Sequence, residues 1–206
     1  MHGSIGIESS LKIMQHIILA VYWIMFGIWH SVFAAEGVKN FFKRIMKSGF
    51  RYYRLCYSLI AAMMVAYILY FNFSIPTLKL WFASPIEKIV ACFTGIIGLI
   101  IMGICIRKYF FDLSGIDVFF KTKTEEQLQV NGLNRYVRHP LYSGTLLFAW
   151  SVFFWQPYLS NLISCFIISA YTIIGAWFEE RKLVKVFGEE YKKYVSEVPM
   201  IIPKFS

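Results

Sequence analysis

The sequence predicts an all-α integral membrane bundle of about five transmembrane helices, followed by an amphipathic cytoplasmic helix at the carboxyl end. Three observations carry that expectation. Hydrophobic residues make up 58% of 206 positions against 16% charged, and mean hydropathy is +0.56. The apolar residues are gathered into long runs rather than alternating, and a hydrocarbon core of about 30 Å takes about 20 helical residues. Lys and Arg cluster in alternate connections between the runs, as the positive-inside rule requires.

The runs lie near 11–34, 54–73, 86–106, 141–158 and 160–178. The first is too long for a removable signal peptide and lacks a small-residue cleavage site after a short apolar core, so it is expected to remain as a helix. The fourth and fifth are close enough to form a helical hairpin. Lys12 alone precedes the first run, whereas Lys39, Lys43, Arg44, Lys47, Arg51 and Arg54 follow it. The next connection holds only Lys79 and Lys88, and the third holds Arg107, Lys108, Lys121, Lys123, Arg135 and Arg138. No cation separates the last two runs, and the remaining ones fall in the tail from Arg181 to Lys204. This pattern puts the amino terminus outside and the first loop, third loop and tail in the cytoplasm. In a two-membrane host the expected home is the inner membrane, where helical bundles rather than barrels belong. The net charge of +9 is then explained by topology and by contact with membrane lipid, with no nucleic-acid partner.

Cys56, Cys92, Cys105 and Cys165 are scattered, with no C-x-x-C pair and no His at ligand spacing, so they read as reduced apolar residues and no metal site is expected. There is no internal repeat or soluble-domain boundary. Residues 1–206 read as one membrane-embedded domain, with a three-span part over 1–106 and a ligand-binding part over 107–206. The connection 107–140 carries polar 121–127 and the turn-forming Asn131-Gly132. In the tail, Leu183, Phe187, Tyr191 and Tyr194 or Val195 recur at helical spacing, giving an apolar stripe on a charged helix. Gly188 weakens that stripe, and Pro199 and Pro203 end it. Such a helix anchors at the membrane surface or caps the bundle, and its position after a carboxylate pair favours a lid.

The chemistry-bearing residues are RHPLYSG at 138–144 and the pair Glu179-Glu180 at the end of the fifth run. Ionisable groups beside a bilayer are costly unless they meet something polar, which a charged, nucleotide-like cofactor would supply. Either feature alone reads as a solvated interface; together they read as an enzyme site.

The strings LQVNGLNRYVRHPLYSG at 128–144 and FEERKLVKVFGEEYKKYVSEVPMIIP at 178–203 resemble the carboxyl half of the isoprenylcysteine carboxyl methyltransferase and phospholipid methyltransferase superfamily. Several fixed spacings carry the likeness: RHPxYxG, the glutamate pair, FGxxYxxY and a VPxxxP ending. Further segments, WHSVFAAEGVKNFFKR at 29–44, RYYRLCYSLIA at 51–61 and YFFDLSGIDVF at 109–119, are similar to the bacterial methanethiol S-methyltransferase branch and its denitrification-linked relatives. The resemblance implies S-adenosylmethionine as cofactor. It also implies cofactor contacts from Glu126, Gln127, Leu128 and Gln129, from Asn134, and from His139, Pro140, Leu141 and Tyr142.

The residues themselves agree with that cofactor. Glu179 or Glu180 would attract an ammonium or sulfonium, and the His139 ring and Tyr142 hydroxyl would donate to a carboxylate or ribose oxygen. Pro140 suits a first helical turn, leaving nearby amides for the cofactor, and Gly144 permits close approach of a helix or ligand. Methyl transfer needs alignment more than acid–base power, although a thiol acceptor must lose its proton. Catalysis is assigned to the cluster His139, Glu179 and Glu180, with the proton acceptor among them left open. His30 reads as a helix-packing residue, with an acceptor contact as its second role. Asp112 and Asp117 cap a turn or, as the resembling branch implies, Asp112 shapes the acceptor pocket.

Gly175 stands where the prenylcysteine enzymes carry an arginine one turn before the first glutamate, and Asn134 where they place an aromatic. Without that arginine a small or lipophilic thiol is a better acceptor than a carboxylate. Carboxyl O-methylation and phospholipid N-methylation are the alternatives within the superfamily. Outside it stand an NADPH-dependent membrane reductase and a non-catalytic membrane partner or sensor. The sequence leaves the oligomeric state unknown.

Overall fold

A computed structural model of the protein describes residues 2–108 and 128–204, with side chains from residue 10 onward. The helices are α1 His2–Ala34, α2 Glu36–Met46, α3 Tyr53–Ser74, α4 Pro85–Lys108, α5 Pro140–Trp155 and α6 Leu159–Glu197. Short 3-10 turns at Lys47–Tyr52 and Gly132–Arg135 precede α3 and α5. Among the described residues the only strand-like pairing is an isolated antiparallel bridge between Lys79 and Tyr158.

The segments Ser10–Ala34, Glu36–Ser74, Pro85–Lys108 and Leu159–Glu197 are long and apolar enough to cross a membrane. Their outward faces carry exposed Met25, Ile28, Met63, Ile89 and Phe93, which lipid would cover. The protein is an all-α integral membrane bundle. The fourth predicted run gives only the 16-residue α5, because Gln156-Pro157 stops the helix short of the expected 158. At 1.5 Å per residue it spans about 24 Å, less than a full hydrocarbon core. The fifth run and the tail, expected as two helices, divide later than the apolar run suggests, at a kink within α6. Residues 176–187 contain neither Gly nor Pro, so α6 continues beyond the apolar run and kinks only at Gly188, whose φ of 56° favours glycine.

Two compact units share the chain. The first holds residues up to 82 and 156–167; the second holds 83–108, 128–155 and 168–204. In the first, a polar chain runs through the interior. Trp23 Nε1 donates to Ser164 Oγ at 2.8 Å, Ser164 donates to Asn72 Oδ1 at 2.9 Å, and Asn72 Nδ2 donates to Asn161 Oδ1 at 2.8 Å. Asn161 in turn donates to the Gln156 carbonyl at 2.8 Å. Each buried polar group thereby finds a partner where lipid offers none. The segment 78–80 pairs with 157–159 through Leu80 N to Pro157 O and Leu159 N to Leu78 O, at 2.8 and 2.9 Å.

In the second unit α4 and α5 meet along small residues. A Cβ placed on Gly98 would lie 2.8 Å from Phe148 N and 2.9 Å from Gly144 O; one on Gly95 would lie 2.6 Å from Ser151 Oγ. Of the two roles open to Gly144, helix contact is the one realised: its own added Cβ would lie 3.0 Å from Gly98 O. Trp150 Nε1 donates to Ser169 Oγ at 3.1 Å, joining α5 to α6 as a hairpin.

Candidate active site

The site is assembled where the start of α5 meets the middle of α6 and the segment 198–201. Pro140 is the first residue of α5 and is buried, as its fixed φ and missing N–H favour. The amides just before it are not open to a ligand. Arg138 N donates to Pro199 O at 2.9 Å and His139 N donates to Met200 O at 3.0 Å. The VPMIIP ending takes these two, which narrows the expectation of free amides to the first turn of α5 itself. Ser143 Oγ adds a 2.6 Å bond to Ile201 O.

Arg138 is the centre of this arrangement. Its Nε and Nη2 each lie 2.7 Å from Glu180 Oε1, while Nη1 donates to Val195 O at 3.2 Å and to Val198 O. The arginine side chain is only 9% exposed and that of Glu180 16%. One guanidinium therefore locks α6, the helix after the kink and the carboxyl segment to the entrance of α5. Charge-assisted bonds of this kind are about twice as strong as neutral ones. Sequence reasoning counted Arg138 as a topology-setting cation, because its partners lie 42, 57 and 60 residues away. Its place in the RHP string was the one clue to more.

His139 is buried between the two carboxylates. Its Nε2 lies 3.2 Å from Glu180 Oε1 and its Nδ1 3.6 Å from Glu179 Oε2, and the ring stacks on Tyr142 at 5.3 Å and 14°. Tyr142 donates to Glu179 Oε2 at 2.9 Å. Glu179 differs from its neighbour in that its side chain is 47% exposed and has no arginine beside it among the described residues. The consecutive glutamates thus have distinct environments, one carboxylate fixed and one open.

Asn134 lies in the 3-10 turn before the motif; its side-chain amide donates to Arg138 O at 3.1 Å and its carbonyl accepts from Tyr194 at 2.5 Å. Leu141 and Leu128 are half-buried and Gln129 is exposed. Glu126, Gln127, Asp112 and Asp117 lie outside the described residues. His30 belongs to the first unit, where its ring packs at 5.5 Å from Phe26 and 5.3 Å from Tyr57, and its carbonyl accepts from the Tyr57 hydroxyl at 3.0 Å. The structure therefore gathers Asn134, His139, Pro140, Leu141, Tyr142, Glu179 and Glu180 in one unit.

Of the apolar tail stripe, Tyr191 and Tyr194 are buried while Val195 is exposed, so Tyr194 is the inward member. The Tyr191 hydroxyl is buried without a hydrogen-bond partner among the described residues. In the sequence it is marked only as a member of the apolar stripe.

Sequence comparison relates the chain to known proteins. The chain is 26% identical over 190 residues to the methanethiol S-methyltransferase of Crocosphaera subtropica, covering 87% of this chain and 71% of that protein. It is 28% identical over 210 residues to a protein of the same name from a Pseudomonas strain, covering 97% and 76%. A shorter match, 33% over 89 residues, covering 40% and 36%, is to the protein-S-isoprenylcysteine O-methyltransferase of Schizosaccharomyces pombe. No solved structure matches. Residues 18–203 match the family described as NnrU protein, and the chain belongs to that family, within the isoprenylcysteine carboxyl methyltransferase-like superfamily.

Proposed function

We propose that the protein is an S-adenosylmethionine-dependent methyltransferase acting on a small or lipophilic thiol. The observation that carries the reading is the open Glu179 carboxylate, held by Tyr142 at 2.9 Å and set beside His139 on a scaffold that Arg138 and Glu180 make rigid. An exposed carboxylate with an apolar and aromatic surround suits a cationic ligand. The names of the relatives point the same way.

S-adenosylmethionine would supply a methyl group already activated on a sulfonium, so that one S–C bond breaks as another forms on the acceptor sulfur. The protein's part is to orient and exclude water. Glu179 would hold the donor's positive charge, the Tyr142 hydroxyl would fix that carboxylate, and Glu179 or His139 would take the thiol proton. Glu180, already bound to Arg138, positions the others. Gly175 supports a thiol over a carboxylate acceptor, since no arginine stands there to hold a carboxylate; a Cβ at this position would meet nothing within 4 Å among the described residues. The tail and the site are assigned to the cytoplasmic side of the inner membrane, and a reporter fused to the carboxyl end should be active only in the cytoplasm.

The deciding experiment titrates S-adenosylmethionine and NADPH into the detergent-purified protein by calorimetry. Saturable binding of the former is expected, weakened about 10- to 100-fold by Glu179→Gln with the unfolding temperature unchanged, as the loss of one charge-assisted bond implies. Binding of NADPH alone would make the protein a reductase, and binding of neither would make it a non-catalytic partner. Thiols, amines and prenylated acids would then be compared as acceptors.

A further inference from the structure

The kink at Gly188 turns the end of α6 back beside its own preceding turns and leaves a cavity of roughly 590 Å³, lined by Trp177, Glu180, Arg181, Val184, Tyr191 and Val195 together with two lysines, Lys185 and Lys192. We propose that this elbow is a headgroup site for an anionic phospholipid, a site separate from the open edge at Glu179 and independent of the methyl-transfer reading.

Four features converge. The first is charge. Glu180 is committed to Arg138, and Lys192 to Glu189 at 2.6 Å, whereas Arg181 and Lys185 have no carboxylate partner among the described residues. Two uncompensated cations therefore face one cavity. The second is geometry: the Arg181 guanidinium lies 3.5 Å above the Trp177 ring, which orients its N–H edge instead of leaving it to sample solvent. The third is Tyr191, a residue 1% exposed that lines the cavity and whose buried hydroxyl has no hydrogen-bond partner among the described residues. Buried polar groups are nearly always paired, and a phosphate oxygen would accept from it. The fourth is depth. Trp177 and Phe178, 48% and 53% exposed, end the apolar run of α6 and mark the interface between hydrocarbon and water.

A free phosphate would use the cations and the hydroxyl but leave Val184 and Val195 bare. A phospholipid uses all of them, with its phosphodiester between Arg181 and Lys185 and its glycerol against the valines. That is why the proposal commits to lipid. The kink is what makes the site, since a straight α6 would carry Tyr191 away from Arg181.

The test uses the full chain in a neutral detergent, titrated calorimetrically with short-chain phosphatidylglycerol, with phosphatidylcholine of the same chains and with inorganic phosphate. Phosphatidylglycerol should bind saturably and the other two should not. A basic residue near an anionic lipid contributes about fivefold in affinity, so Arg181→Gln with Lys185→Gln should weaken binding about twentyfold. Tyr191→Phe keeps the ring and should weaken it about two- to tenfold. Lys43→Gln with Arg44→Gln, on α2, should change nothing, and S-adenosylmethionine titration of the Arg181/Lys185 variant should match the wild type. Equal binding of both lipids, equal loss in the α2 variant, no loss in the Arg181/Lys185 and Tyr191 variants, or binding of inorganic phosphate as tight as that of lipid would each overturn the proposal. If the double variant does not fold, Tyr191→Phe alone decides.

Discussion

The Arg138–Glu180 lock can be tested by a double-mutant cycle whose outcome follows from its geometry. Arg138→Gln removes two nitrogens from Glu180 Oε1 and frees the carbonyls of Val195 and Val198, all at a side chain only 9% exposed. Breaking a buried pair by deleting one partner costs about 3–5 kcal/mol. Glu180→Gln keeps a carbonyl oxygen for the arginine and leaves the contacts to Val195 and Val198, so it should cost less, about 1.5–3 kcal/mol for the lost charge assistance. The two changes share a contact and should not add: the coupling is expected near 2 kcal/mol. Reversible unfolding in mixed micelles measures all four proteins. Limited proteolysis supplies an independent sign, since cleavage beyond Gly188 should accelerate more with Arg138→Gln than with Glu180→Gln. A coupling below about 0.5 kcal/mol, or equal costs for the two single variants, would refute the picture of one arginine holding three segments.

Other expectations concern packing and acceptor choice. Gly98→Ala should lower stability by about 1–3 kcal/mol, because the new Cβ would meet backbone atoms of α5 at 2.8 and 2.9 Å that cannot turn aside. Gly103→Ala on the same helix, with nothing within 4 Å, should be neutral or stabilising by up to about 1 kcal/mol in the same unfolding assay. Asn72→Ala should cost about 1–2 kcal/mol, since it strands the hydroxyl of Ser164 and the amide oxygen of Asn161; a change below about 0.3 kcal/mol would mean that the interior polar chain is dispensable. Gly175→Arg, at a position where a Cβ meets nothing within 4 Å among the described residues, should raise the rate with a prenylated carboxylic acid relative to a thiol when the two are compared in a competition assay.

The bundle was legible because runs of about twenty apolar residues have few other uses. Element ends were less so. Gln156-Pro157 shortened the fourth helix, and the absence of any breaker between Ala176 and Phe187 carried the fifth on to a break at Gly188. The amphipathic α2 is hidden by its cations: the connection 35–53 reads as a cytoplasmic loop, although Val38, Phe41 and Phe42 recur at helical spacing. His139, Tyr142 and the glutamate pair could be singled out because such side chains are rare beside a membrane. Which glutamate is open and which is locked could not, because that depends on where Arg138 lands after the chain has returned twice through the bundle.

That difference changes how the site should be probed. The tail helix with the stripe Leu183, Phe187, Tyr191 and Tyr194 was expected to serve as a lid; in the structure Tyr194 reaches Asn134, and just beyond the helix Pro199, Met200 and Ile201 accept bonds from Arg138, His139 and Ser143. Opening this segment would break the backbone pairs and the Arg138 contacts together, a cost that ordinary ligand entry does not require. Access should instead run past Glu179 and Tyr142, the exposed edge of the cluster. A variant at Glu180 would then lose ligand binding through the scaffold, and a variant at Glu179 through the site itself. The two are separable only if stability and affinity are measured on the same protein: Glu180→Gln should move both, whereas Glu179→Gln should move affinity alone.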